Sequence, residues 1–323
     1  MNTVIGTDID QAVSLLNKGE LVAIPTETVY GLAANALNED AVLKIYEAKQ
    51  RPRFNPLILH IASFDQAKKY ATYIPPAAEL LATAFWPGSL TILFEKQSIV
   101  PDLVTAGSSR VALRVPNHPL TLKLLEQLSF PVAAPSANPS GYVSPTSAQH
   151  VYHNLHGKIH YILDGGECGI GVESTIIGWN EKKEVEVYRL GGIPVEAIED
   201  VLQQKVIVNK SISENPDTPG QLKSHYATAT PLYLGDFNKL IDQFVNKKIL
   251  LINFSNYHPA LPQDQQLVLA PSGTLEEASK NLFKLLRAAD AMKGDVIIAE
   301  KVPNKGLGAA INDRLQRAQH IMK

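Results

Sequence analysis

The chain has 323 residues, 45% hydrophobic and 19% charged, the balance of a soluble globular protein of about two domains. Thirty Lys and Arg against 32 Asp and Glu leave a formal charge of −2, so any polyanion must be caught by a local basic cluster. The single cysteine, Cys168, excludes an internal disulfide and a multi-cysteine metal site.

No apolar run approaches the ~18 residues that a membrane helix needs. The N-terminus shows no positive leader before an apolar core, so the sequence predicts a cytoplasmic protein. In chain order, DQAVSLLNKGE has helical spacing, LVAIP reads as a strand, and NEDAVLKIYEAK is helical with Asn38 as N-cap. LILHI follows as a strand. PAAELLATAF is a helix stopped by Trp86-Pro87-Gly88. LTILFE and RVALRV read as strands, PLTLKLLEQL as a helix, and FPVAAP as a strand. After EVEVYRLGG and the helix PVEAIEDVLQQ, residues 206–230 lose any sustained period and read as a linker or lid. A second alternating block then predicts a small α/β layer fold. The expected division is 1–205, a linker at 206–229, and 230–323.

Five stretches carry chemical groups. In IPTETVYGLAANA (24–36), Thr26, Thr28 and Tyr30 follow a strand; such hydroxyls line clefts in α/β proteins or stabilise a turn. In AKQRPRFNPLILHI (48–61), Pro52 disfavours helix at Arg51 and favours an extended segment. Extended chain would point Lys49, Arg51 and Arg53 the same way. A solvated basic loop and a polyphosphate clamp are both open there. Arg110 and Arg114 share one face of a strand, as an exposed edge or as cations facing a cleft.

AAPSANPSGYVSPTSA (133–148) offers Ser136, Asn138, Ser140 and Ser144 on a proline-stiffened backbone, which suits an anion-binding nest. It is neither a Walker A loop nor a dinucleotide fingerprint. ILDGGECGIGVESTIIGW (162–179) places five glycines between apolar strands, either for close backbone approach to a ligand or as a long hairpin loop. Cys168 has no histidine-acid arrangement nearby, and the H-E-x-x-H spacing of a zinc enzyme is absent.

The order of PTETVYGL, K-x-R-P…N-P-L…H, WPGSLT, LRVP, APSANPSG, DGG…ESTI and later PGQLKSHYA resembles the YrdC-like threonylcarbamoyl-AMP synthase family in its long, two-domain form. The resemblance implies an α/β fold: a twisted mixed-sheet catalytic domain plus a small Rossmann-like C-terminal domain. It implies that L-threonine, bicarbonate or CO2, and ATP give threonylcarbamoyl-AMP and pyrophosphate. That product supplies the threonylcarbamoyladenosine modification of tRNA. Mg2+ is expected with ATP, bound through phosphates and by no protein side chain. Expected partners are the downstream tRNA threonylcarbamoyl transferase machinery and, weakly, tRNA.

Matched by position, the resemblance places threonine at Thr28, His60, Arg114, the Ala134 backbone and Ser174, with Ser174 or Thr28 reading the substrate hydroxyl. ATP falls to Arg51, Asn55, Arg110 (through side chain or backbone), Ser136, Asn138, Ser144, Arg189 and Tyr226. Lys49 and Arg51 stabilise the reacting charge, and Pro52 fixes their aim. PGQLKSHYAT resembles the family's lid, so deleting 216–226 is expected to raise hydrolysis of the intermediate or weaken ATP binding. Gln221, Thr228 and Leu190 depart from the family's pattern, which bears on the lid and on Arg189. Rival readings are a tRNA- or double-stranded-RNA-binding face, and carbamoyl transfer, whose usual zinc-finger segment one cysteine cannot supply.

Overall fold

Eleven strands form the larger sheet of the protein. They are β1 (Val4–Gly6), β2 (Val22–Ile24), β3 (Gly31–Asn35), β4 (Ile58–His60), β5 (Leu90–Glu95), β6 (Arg110–Arg114), β7 (Val132–Ala133), β8 (Tyr161–Leu163), β9 (Thr175–Trp179), β10 (Val185–Arg189) and β11 (Ile207–Val208). Their order is β1-β8-β2-β3-β7-β4-β6-β5-β9-β10-β11, with parallel and antiparallel pairs mixed. The computed structural model describes residues 1–209 and 226–320. One compact unit takes in residues 1–140, 145–169 and 173–209; the other takes in 141–144, 170–172 and 226–320.

The sheet's two faces are distinguished by what covers them. Val22, Ala23 and Ile24 are all fully buried, as an unbroken apolar run requires of a strand packed on both sides. Helices Ile9–Asn17 and Pro119–Glu126 cover Val22, Ile24, Ala33 and Val132 on the first face. The second face holds the main core, where helix Glu39–Lys49 lays Val42, Ile45 and Tyr46 against Leu32, Ala34 and Leu59. Asp8 and Asn38 cap these helices, accepting from Gln11 N at 3.0 Å and Ala41 N at 3.2 Å.

Beyond β7 the first face changes character. Registers His60↔Arg114 and Ile58↔Ala112 run from β4 to β6, and Leu93↔Ala112 continues to β5. Side chains alternate along each strand, so His60, Arg114, Thr91 and Ser174 fall on the face that Val132 occupies in β7. Below this polar row, Ile58, Leu93, Ala112, Ile176 and Tyr188 form a small apolar floor.

The smaller unit carries a four-stranded parallel sheet in the order β12-β15-β13-β14, from Leu232–Leu234 (β12), Ile249–Asn253 (β13), Gln266–Val268 (β14) and Val296–Ala299 (β15). Helices Phe237–Gln243, Leu275–Ala291 and Leu307–Ala318 accompany it. Leu251, Ile298, Phe283, Leu286 and Ile311 are fully buried in it. This is the small α/β layer fold expected from the second alternating block and the Rossmann-like domain that the resemblance implies.

Several short elements escape the sequence reading. β1 is a three-residue edge pairing only with β8, and β3, GLAAN, is alanine-rich with low strand propensity. Helix Ala148–Leu155 follows a proline-rich loop that masks its start, although Ser147 caps it. β11 lies at the start of the stretch read as linker and pairs in parallel with β10. Residues 210–225, with Gln221 and nearly all of the segment 216–226, lie outside the described residues.

Candidate active site

Arg114 is the most constrained cation of the polar row. It is 4% exposed at the end of β6. Its Nε donates to Gly88 O at 3.1 Å, and its Nη2 donates to Glu27 Oε1 at 2.7 Å and to Thr28 Oγ1 at 3.0 Å. Glu27 also accepts from Asn117 N at 3.0 Å, so the acid is itself fixed. The guanidinium plane is therefore set before any ligand arrives, and Nη1 is left to meet a carboxylate. Thr28 is fully buried and close to Thr26, Oγ1 to Oγ1, at 2.8 Å.

His60 sits beside Arg114 on β4 and is 3% exposed. Burial, then the Arg114 charge, lower its pKa to about 3, so the ring is neutral at physiological pH. Its Nδ1 has no hydrogen-bond partner among the described residues. Ala134 is buried next to β7, its N donating to Ile58 O at 3.1 Å.

A second group of cations lies where helix Glu39–Lys49 ends. The segment is not extended, as the prolines suggested. Gln50 adopts the left-handed conformation (φ 52°) and caps the helix, reversing the chain after Lys49. Lys49 and Arg51 are thereby buried while Arg53 is exposed, so the three do not point one way. The Lys49 ammonium donates to Asn138 O at 2.5 Å and to Ser136 O, and Ser140 N donates to Lys49 O at 2.8 Å. Two of its three protons thus clasp the 136–140 loop, and one remains for an anion. Desolvation, followed by the Arg51 charge, pushes the Lys49 pKa well below its usual value.

Arg51 donates from Nε to Asn55 O at 3.2 Å and from Nη2 to Pro56 O at 2.9 Å, which orients its fork. Asn55 is fully buried, and neither amide atom has a partner among the described residues. A buried amide of this kind marks a place for a polar ligand. Asn138 donates from Nδ2 to Pro139 O at 2.9 Å, and Ser136, half-buried, bridges to Gly31.

Ser174 closes the polar row. Its Oγ lies 2.7 Å from Thr91 Oγ1 and accepts from Arg189 Nη2 at 3.0 Å, while Arg189 Nε donates to Ser174 O at 3.0 Å. Gly191 permits this turn. A Cβ there would stand 2.3 Å from Glu173 O and 2.4 Å from Ser174 C. Leu190, the departure noted beside Arg189, packs partly buried against the main core.

One expected side chain stands apart from this cluster. The Arg110 side chain is at the opposite end of β6, about 13 Å along the strand from Arg114. Its Nη1 donates to the Tyr188 hydroxyl at 3.0 Å, and it borders a groove of about 600 Å³ with Leu93, Phe94 and Trp179. Ser144 and Tyr226 belong to the smaller unit. Ser144 O accepts from Arg287 Nε at 3.4 Å. Tyr226 is buried, with φ 68°, and stacks on Phe283 at 5.4 Å between ring centroids. Thr228 donates from Oγ1 to Thr230 O at 2.6 Å. Cys168 is buried with its thiol pushed up to about 12 by desolvation, which fits a packing role.

Glu27 and Thr91 were missed from sequence. Each had a signal. Glu27 is the only acid in PTETVYGL, and Thr91 breaks the apolar face that Leu93 shares in LTILFE.

A family model described as "Telomere recombination" matches residues 14–191, and one described as "Threonylcarbamoyl-AMP synthase, C-terminal domain" matches 193–319. A threonylcarbamoyl-AMP synthase of Pyrococcus abyssi is 45% identical over 321 residues, covering 95% of this chain and 92% of that protein. The protein of the same name in Bacillus subtilis is 42% identical, with 96% and 92% covered. The crystal structure of P. abyssi Sua5 complexed with L-threonine superposes with a TM-score of 0.89 at 42% identity, covering 98% of this chain and 96% of that one.

Proposed function

From the premise that the chain belongs to the threonylcarbamoyl-AMP synthase family, we propose that it makes threonylcarbamoyl-AMP from L-threonine, bicarbonate or CO2, and ATP. The observation that carries this reading is Arg114, buried and pre-oriented among Thr28, neutral His60 and a serine-threonine pair. Such a site suits a small zwitterion with a hydroxyl group better than it suits a nucleic-acid backbone.

The amine of threonine adds to CO2, forming the N–C bond of a carbamate and releasing one proton. A carbamate oxygen then attacks the α-phosphorus of ATP. The new P–O bond forms as the bond to the β-phosphate breaks, and pyrophosphate leaves. The nucleophile is already anionic, so catalysis consists of positioning and charge stabilisation rather than strong general-base chemistry. Arg114 holds the α-carboxylate. Lys49 and Arg51 offset phosphate charge, and the clasped 136–140 loop presents Ser136 and Asn138 to the nucleotide. Arg189, through Ser174, ties the amino-acid end to the nucleotide end. Ser144, Tyr226 and the Arg110 backbone are assigned to the nucleotide by family position.

Mg2+ is expected with ATP; held by the phosphates, it would offset their negative charge. The donor set fits a cation carried in by the phosphates, with the unpartnered Asn55 carboxamide as a neutral group able to meet the nucleotide. We place the reaction in the cytoplasm, with the tRNA whose modification the product supplies; separately, no helix among the described residues is long and apolar enough to cross a membrane. The tRNA threonylcarbamoyl transferase machinery would consume the product, and a weak tRNA contact remains part of the reading.

The test is incubation of the full chain with ATP, Mg2+, L-threonine and labelled bicarbonate. Label is expected in a product containing both threonine and AMP. Label confined to bicarbonate, with ATP bound, would mean that the second substrate is wrong.

A further inference from the structure

The loop at 133–148 enters the smaller unit at residues 141–144, where it meets the helix Leu275–Ala291 of the same unit. Arg287 on that helix donates from Nη2 to Val143 O and from Nε to Ser144 O at 3.4 Å, and its Cζ lies 4.9 Å from the centroid of the Tyr142 ring. Less than one turn further on, the Asp290 carboxylate accepts from the Tyr142 hydroxyl at 3.0 Å. It also accepts from Ala229 N at 3.0 Å and Thr230 N at 2.8 Å, while Ala227 N donates to Gly141 O at 2.8 Å. One arginine and one aspartate thus hold residues 141–144 and 227–230 in a fixed arrangement.

This grip decides which backbone groups the loop can offer. The peptide between Val143 and Ser144 is planar and trans, so its C=O and N–H point in opposite directions. With the carbonyl turned to Arg287, the Ser144 N–H is turned away from it. The next carbonyl, of Ser144, also faces Arg287, and Pro145 contributes no N–H. Earlier in the loop, Lys49 takes the carbonyls of Ser136 and Asn138 in the same way. A cation therefore draws the negative ends of peptide dipoles aside in each half of the loop. Carbonyl oxygens that would repel an anion are withdrawn from it, which favours an anion-binding backbone. Desolvation lowers the Arg287 pKa to about 10, which leaves the guanidinium charged at neutral pH.

We propose that Arg287 and Asp290 are positioning residues for nucleotide binding: they set the backbone at Ser144 so that it faces a phosphate of ATP with N–H rather than C=O. The proposal deepens the ATP reading above and rests on it. It gives the smaller unit a part in the reaction, exerted through the loop that it orients.

The test is calorimetry of ATP and of L-threonine binding to the full chain with Mg2+, for wild type, Arg287→Met and Tyr142→Phe, with urea midpoints measured in parallel. Arg287→Met keeps an unbranched side chain but releases both carbonyls, and is expected to raise Kd for ATP about tenfold, the scale of one charge-assisted hydrogen bond. Kd for threonine should stay within about twofold. Tyr142→Phe cuts only the link to Asp290, and should raise Kd for ATP about two- to threefold at an unchanged urea midpoint. A residue that merely kept the unit folded would act differently, because a misfolded fraction lowers the binding stoichiometry and leaves Kd unchanged.

Wild-type Kd for ATP in Arg287→Met, or a loss that falls equally on threonine, overturns the proposal. If Arg287→Met does not fold, Tyr142→Phe decides: a raised Kd for ATP supports the proposal, and an unchanged one overturns it. Wild-type protein that binds ATP without threonine-dependent pyrophosphate release overturns the functional reading, while the positioning role still stands or falls on Kd for ATP. Wild-type protein that does not bind ATP overturns both.

Discussion

The two cationic ends of the site are built differently. Arg114 is held by a partly buried carboxylate, Glu27, as well as by neutral oxygens. Lys49 is held by backbone carbonyls, with no carboxylate partner among the described residues, and the bonds described for Arg51 also run to carbonyls. A neutralised, oriented guanidinium selects for the geometry of one small carboxylate. An ammonium tethered only by dipoles keeps its charge available for a polyanion, at the expense of desolvation that already lowers its pKa. On the proposed reading, the difference would put amino-acid recognition at one end and phosphate stabilisation at the other.

Substituting each end in turn should separate the two functions. Arg114→Ala removes the carboxylate grip and strands Glu27. We expect threonine affinity, read by calorimetry, to fall about 100-fold or more, and stability in urea to drop by up to about 3 kcal/mol, the low end for breaking a buried pair because Glu27 is partly exposed. ATP affinity should change little. Lys49→Met should lower kcat about 100-fold, as for removal of one electrostatic donor, with threonine binding retained. If both variants lose both ligands equally, the division into two ends is wrong.

pH sharpens the comparison further. The folded pKa of His60, about 3, is depressed below its usual 6.5, so its contribution to stability is complete above pH 6.5. Between pH 6.5 and 3 the unfolded chain binds a proton that the native chain does not, and that contribution is progressively lost. Urea titrations at falling pH should therefore show a slope of up to ~1.4 kcal/mol per pH unit that His60→Gln removes. An unchanged slope in His60→Gln would place the titration elsewhere. The smallest effect belongs to Arg53→Ala, within about twofold in all constants, since the side chain is exposed.

Much of this was legible in the sequence, for definable reasons. LTILFE became β5 over the expected residues, and Asn38 capped the helix it was assigned to, because apolar period and capping chemistry are local signals. The spacing of Arg110 and Arg114 correctly placed them on one face, but it could not show that a five-residue strand separates their head groups. The K-x-R segment misled for a similar reason. Alternation was applied across Lys49, yet the left-handed Gln50 ends a helix there, and a glutamine carries no strong sequence signal for that conformation. Glu27 and Thr91 act through residues 87 and 83 positions away, and no local pattern encodes such partners.

The most direct measurement is pyrophosphate release by the full chain with ATP and Mg2+, with threonine and bicarbonate each present or omitted and serine as a control. The account predicts release that requires threonine and bicarbonate together and is weaker with serine. Release that is equal without threonine would contradict it, because the end built around Arg114 would then have no part in the reaction.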